Sequence, residues 1–182
     1  MQPHQAERLT QVLDDHGLEA LVATRAANVA YVTDFRGIEH AVFETPQLAV
    51  FSRRGTALAV AAIEIPSAVE ERIDVDHLAC FDDFPAVYDD RRDADVRRIR
   101  ELVQAHAPSP ADALAALLAA LGVRRGAVGL DESRLTPAAW QRIASRARSA
   151  RSLAAGRGIH ARLPVAIAAG IGAPRRLTTS DW

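Results

Sequence analysis

The chain contains no lysine; all 22 of its basic residues are arginine. A lysine-free, Ala-rich and Arg-rich composition reflects a GC-rich coding sequence and is not in itself a nucleic-acid signature. One cysteine, Cys80, excludes an intramolecular disulfide framework and suits a reducing compartment. Aromatic residues make up only 5% of the chain, so any core must be built mainly from Ala, Val, Leu and Ile. The longest apolar run, Val165 to Ala173, is too short to span a bilayer, which takes about 20 residues. The first residues, MQPHQAERLTQVLDDHG, lack the basic start and apolar centre of a secretion signal, so a cytoplasmic protein without a membrane partner is expected.

Hydrophobic residues amount to 49% of 182, enough for one domain with a real core. The net charge of −1 hides an asymmetry. Residues 1–132 carry 22 acids against 13 Arg, and residues 133–182 carry 9 Arg against Asp181 alone. Residues 149–182 are also Gly-rich and aperiodic, and are set apart as a basic tail from a domain over 1–148. Either the reading frame is disrupted near residue 149 or the tail is a genuine basic extension. Its Arg residues alternate with Ala, Gly and Ser rather than aromatics, so nucleic-acid binding is not the preferred reading.

Periodicity places the elements. Leu9, Val12 and Leu13 mark a helix over Gln5–Asp15, stopped at His16-Gly17. Leu18–Thr24 reads as a buried strand, Arg25–Val32 as a short helix or turn, and Thr33–Gly37 as a loop. Gln47–Ser52 and Thr56–Ala61 form a hairpin about Arg53-Arg54-Gly55. A helix is expected within Ile63–Arg72 after Pro66, a strand at His77–Phe81, and a charged loop over Asp82–Arg92. Helices follow at Asp93–Ala105 and from Ser109 to Leu121, the second capped by Ser109 and stopped by Gly122. Gly126–Asp131 is a strand, and Thr136-Pro137 opens a last helix. Helices alternating with strands, plus one hairpin, imply an α/β fold with a mixed sheet flanked by helices.

Catalytic signatures are sparse. The histidines are scattered, and no HExxH, CxxC or GxSxG occurs. Gly156-Arg-Gly-Ile-His lacks the third glycine of a dinucleotide loop. Cys80 sits inside a strand and reads as a small buried hydrophobe. The acids at Asp82, Asp83, Asp89, Asp90, Asp93 and Asp95 are a conceivable cation site, but beside Arg91 and Arg92 they read first as a solvated charged loop.

Three segments together resemble the N-terminal domain of the creatinase, prolidase and Xaa-Pro aminopeptidase family. They are Arg8-Leu-x-x-Val-Leu-x-x-x-Gly-Leu-x-Ala-Leu-Val-Ala-Thr24, Asn28-Val-Ala-Tyr31-Val-Thr33-Asp-Phe35, and Gly126-Ala-Val-Gly-Leu-Asp131. The resemblance covers about residues 5–147, and the family's glycine before the aromatic is Asp34 here. It implies a mixed sheet of about five or six strands. In the family a pita-bread catalytic domain follows, in which two Asp, one His and two Glu hold two divalent metals (Mn, Co or Zn) in the peptidases; creatinases use no metal. No residue here matches those ligands. The chain is therefore expected to have no catalytic residue, no metal ligand, no cofactor of its own and no peptidase activity alone. The resemblance further implies a homodimer in which this domain narrows the partner subunit's active-site mouth. Arg36, His40 and Phe43, after Tyr31, are the residues for that substrate-facing lip. Two other readings stand beside it: a non-catalytic protein-interaction module using the same fold and the basic tail, and a small enzyme using the Asp82–Asp95 cluster.

Overall fold

A computed structural model of the chain describes residues 1–37, 45–85, 93–124, 126–131 and 145. The first helix, α1 (Pro3–His16), opens with Pro3 where a missing N–H costs nothing, and Gln5 Oε1 accepts the Gln2 N–H at 2.7 Å. It ends at Gly17, whose left-handed backbone (φ 61) turns the chain directly into β1 (Leu18–Ala23). Then come α2 (Ala26–Thr33), β2 (Leu48–Ser52) and β3 (Gly55–Ala61). A 3₁₀ turn (Ala62–Glu64) leads into α3 (Ile65–Glu70), with Pro66 in its first turn, and then β4 (His77–Phe81). The last described elements are α4 (Ala94–Gln104), α5 (Pro110–Ala120) and β5 (Ala127–Leu130).

The sequence reading holds for these elements with small shifts. Thr33, expected in a loop, closes α2 instead, because its hydroxyl donates back to the Val29 carbonyl at 2.9 Å and keeps the turn helical. The helix expected within Ile63–Arg72 is split, since the chain leaves β3 through the tighter 3₁₀ turn before Pro66 can start an α-helix. The helix expected from Thr136 lies outside the described residues, apart from Ser145, which is helical.

The sheet order is β4-β3-β2-β1-β5. β2 pairs antiparallel with β1 and β3, while β1 with β5 and β3 with β4 are parallel. The sheet is therefore mixed, with five strands among the described residues. Its two faces bury different side chains, as the two-residue period of a strand requires. One face carries Leu21, Ala23, Ala49, Phe51, Leu58, Val60 and Cys80, and packs with Leu13, Val29, Ile65 and Ile99 of the four helices α1 to α4. The other carries Ala20, Val22, Leu48, Val50, Ala57, Ala59, Ala61 and Phe81 under α5. The register of β1 on β5 shifts between Leu18 and Ala20, so these two residues fall on opposite faces and Glu19 stays exposed.

α5 is itself built from small and branched residues. Ala111, Ala113, Leu114, Leu117 and Leu118 are buried, and the Ala57, Ala59, Ala61 row of β3 gives them a shallow bed. Its start is fixed by Ser109, whose Oγ accepts the Asp112 N–H at 3.2 Å and donates to Asp112 Oδ2 at 2.6 Å. Asp93 caps α4 in the same way, accepting from the N–H groups of Asp95 and Val96 at 2.7 and 3.3 Å.

Adjacent positions of β3 should therefore fail in opposite ways. Leu58→Ala leaves a cavity on the four-helix face and should cost about 2–5 kcal/mol. Ala59→Leu overfills the bed of α5 and should cost about 1–3 kcal/mol. Urea unfolding of both variants measures this, and a neutral Ala59→Leu would mean that α5 is not seated on that row.

Candidate functional site

Strands β1, β3, β4 and β5 run in one direction, so their C-terminal ends and the start of β2 share one end of the sheet. In open α/β sheets this end, outside the carboxyl ends of the strands, is where ligands bind. Here it collects Thr24, Asp131, Gln47, Glu64 and Asp82. The opposite end is closed by hairpin arginines: Arg53 donates to the Leu18 carbonyl at 3.2 Å and pairs with Asp14, and Arg54 donates to the Gly122 carbonyl.

Asp131 follows the last residue of β5 and is buried, with 3% exposure. A buried carboxylate is tolerated only when donors surround it. The Asn28 amide donates to Oδ2 at 2.6 Å and the Arg25 backbone N–H donates to the same oxygen at 3.2 Å. The Thr24 hydroxyl is shared between Oδ1 and the Asp131 carbonyl, the latter at 2.7 Å, and the Asp131 N–H donates to the Val22 carbonyl at 3.1 Å. Arg25 is the cap residue of α2, so the charge also meets the positive end of that helix. Two motif residues far apart in sequence, Asn28 and Asp131, thus form one polar joint between β1, β5 and α2.

The far end of α2 begins the segment singled out in the sequence. Asp34 takes the left-handed conformation (φ 63), which Asp adopts more readily than most non-glycine residues. Its N–H donates to the Ala30 carbonyl at 2.9 Å, and the Phe35 N–H donates to Thr33 Oγ1 at 3.3 Å, which drives the Phe35 ring into full burial. Arg36 is exposed. His40 and Phe43 lie outside the described residues, so of the three residues expected at a lip only Arg36 is described.

Next to Arg36 the backbone of Gly37 meets a buried pair. Gln47 and Glu64, 1% and 2% exposed, are joined by an Nε2–H to Oε1 hydrogen bond of 2.7 Å. A Cβ on Gly37 would stand 2.0 Å from Gln47 Nε2 and 2.1 Å from Glu64 Oε1, so a side chain here would have to push the ends of both buried groups aside. Neither Gln47 nor Glu64 is singled out by the sequence reading. The available signal is an acid inside an apolar run, Ala61-Ala-Ile-Glu-Ile65, which a surface helix would not need.

Cys80 is buried in β4 and its thiol is pushed up to about 11, first by burial and then by the negative charges of Asp82 and Asp83. It is a packing residue, as expected. Among the described residues no three His, Cys, Asp or Glu side chains come together as a metal site. Asp93 and Asp95 of the acidic run belong to the start of α4, and Asp89 and Asp90 lie outside the described residues. No described helix is long and apolar enough to cross a membrane.

Two outcomes follow from this geometry. Asp131→Ala and Asn28→Ala should each destabilise by about 1–3 kcal/mol. Because the two share one bond, the double variant should fall short of the sum by about 0.5 kcal/mol or more in chemical unfolding; strict additivity would dissolve the joint. Cys80 should stay unmodified by a thiol reagent in the native state from pH 7 to 9, because the protonated form persists until near its raised value, and should react at once in denaturant. Fast labelling of the folded chain at pH 8 would contradict its burial.

Against known families, residues 5–163 match the creatinase/prolidase N-terminal domain, reaching past residue 148 into the segment set apart above as a tail. No curated protein matches the chain. Among solved structures, an Xaa-Pro aminopeptidase from Streptococcus pyogenes aligns over 79% of this chain and 83% of that one, at 14% identity and a TM-score of 0.50. An Xaa-Pro dipeptidase from Bacillus anthracis aligns over 79% of this chain at 14% identity and a TM-score of 0.53, but over only 30% of its own length. These likenesses establish the shared fold. With the family match covering most of its length, the chain belongs to the creatinase/prolidase N-terminal domain family.

Proposed function

We propose that this chain serves as the non-catalytic N-terminal domain of an Xaa-Pro peptidase or creatinase-type hydrolase, forming a homodimer and shaping the active-site mouth of the partner subunit. The observation that carries the reading is the placement of Arg36. It is exposed where the chain leaves α2, on the sheet end that ligands favour in open α/β folds, between the fully buried Phe35 and Gly37, which runs against Gln47 and Glu64. An exposed arginine at this point offers a charged donor fork to a carboxylate, which suits the terminal group of a short peptide.

On this reading the two divalent metals (Mn, Co or Zn) of a peptidase parent belong to a pita-bread domain, not to this chain. A reducing, cytoplasmic setting suits the lone buried thiol.

The test has two arms on the purified chain. Light scattering coupled to gel filtration should give twice the chain mass, and Xaa-Pro peptides with added manganese or cobalt should remain uncleaved. A strictly monomeric chain at high micromolar concentration would remove the dimer role, and metal-dependent cleavage would overturn the non-catalytic assignment.

A further inference from the structure

We infer that Glu64 is a positioning residue: through Gln47 and against Gly37 its buried carboxylate clasps both ends of the segment that joins α2 to β2. Gly37 and Gln47, the residue before β2, meet at this sheet end. Glu64 closes the 3₁₀ turn after β3, the strand that pairs with β2, so it arrives at the same corner by an independent route. Gln47 bonds to it at 2.7 Å, and the missing side chain of Gly37 leaves room for both polar groups within 2.1 Å of where a Cβ would be. Burying a carboxylate and an amide at this corner is costly, and their mutual hydrogen bond offsets part of that cost. A hydrogen bond fixes direction as well as distance, and the direction it fixes is that of the backbone on either side of residues 38–46.

The clasp stands on described residues alone. Its consequence, that Glu64 sets the pose of Arg36 at a substrate-facing lip, rests on the function proposed above. The two can fail separately, because the clasp is read without peptidase activity or dimerisation.

The experiment is limited trypsin digestion of the full chain, followed by mass spectrometry. The chain has no lysine, so every cut falls after arginine. The ratio of cutting after Arg36 to cutting after Arg54, at the far end of the sheet, reports local opening at the clasp against general unfolding. In Glu64→Ala and Gly37→Ala that ratio should rise about tenfold, the size expected for losing a hydrogen bond to a charged group. Glu64→Gln, which keeps an acceptor for Gln47, should stay nearer to the wild type than to Glu64→Ala. Gly37→Ala removes no buried group and carries the test if Glu64→Ala does not fold. An unchanged ratio in Gly37→Ala, an equal rise at both arginines, or a Glu64→Gln digest indistinguishable from Glu64→Ala would overturn the inference.

Discussion

A carboxylate taken out of water must be met by donors, and besides Glu64 at the neighbouring corner this domain meets that requirement at Asp131. Its two oxygens gather the Thr24 hydroxyl, the Arg25 N–H and the Asn28 amide, so the end of β5, the end of β1 and the start of α2 converge on one charge. Removing any one partner leaves a buried charge under-compensated, a more expensive defect than the loss of a single neutral contact. The path of α2 over the sheet, and with it the point where Asp34 turns the chain toward Arg36, depends on this joint.

The apolar packing complements the joint without replacing it. On one face Leu58 and Val60 meet four helices, and on the other Ala57, Ala59 and Ala61 let α5 come close. Such packing fixes which face each helix covers, because a slip of one residue would exchange the leucine row for the alanine row. It fixes the rotation and height of a short helix such as α2 less well, since apolar contacts carry little direction. Hydrogen bonds at the two ends of α2 supply that direction: Asp131 at its start, and Thr33 with the left-handed Asp34 at its finish.

Most of the fold was legible in the sequence because it is written in short-range signals. Gly17, Ser109 and the Arg53-Arg54-Gly55 turn announce element ends, and the strands on either side of that turn are short apolar runs buried on both faces. Asn28 and Asp131 were legible as motif residues, yet nothing local says that one amide reaches the other carboxylate across the sheet. Gln47 and Glu64 escaped altogether. Glutamine at a strand start is an ordinary surface choice, the acid inside the apolar run at Ala61–Ile65 is a faint signal, and nothing local says that Gly37 comes to lie against both. Polar clusters assembled from three separate elements are the part of a fold that periodicity does not encode.

A buried polar joint, rather than apolar packing alone, positions α2 and the chain that leaves it. Amide hydrogen exchange on wild type and Asp131→Ala measures this. Protection should drop in α2 and at the end of β5 while β2 and β3 keep theirs. Protection of α2 unchanged by the substitution, or lost evenly across the whole sheet, would contradict it.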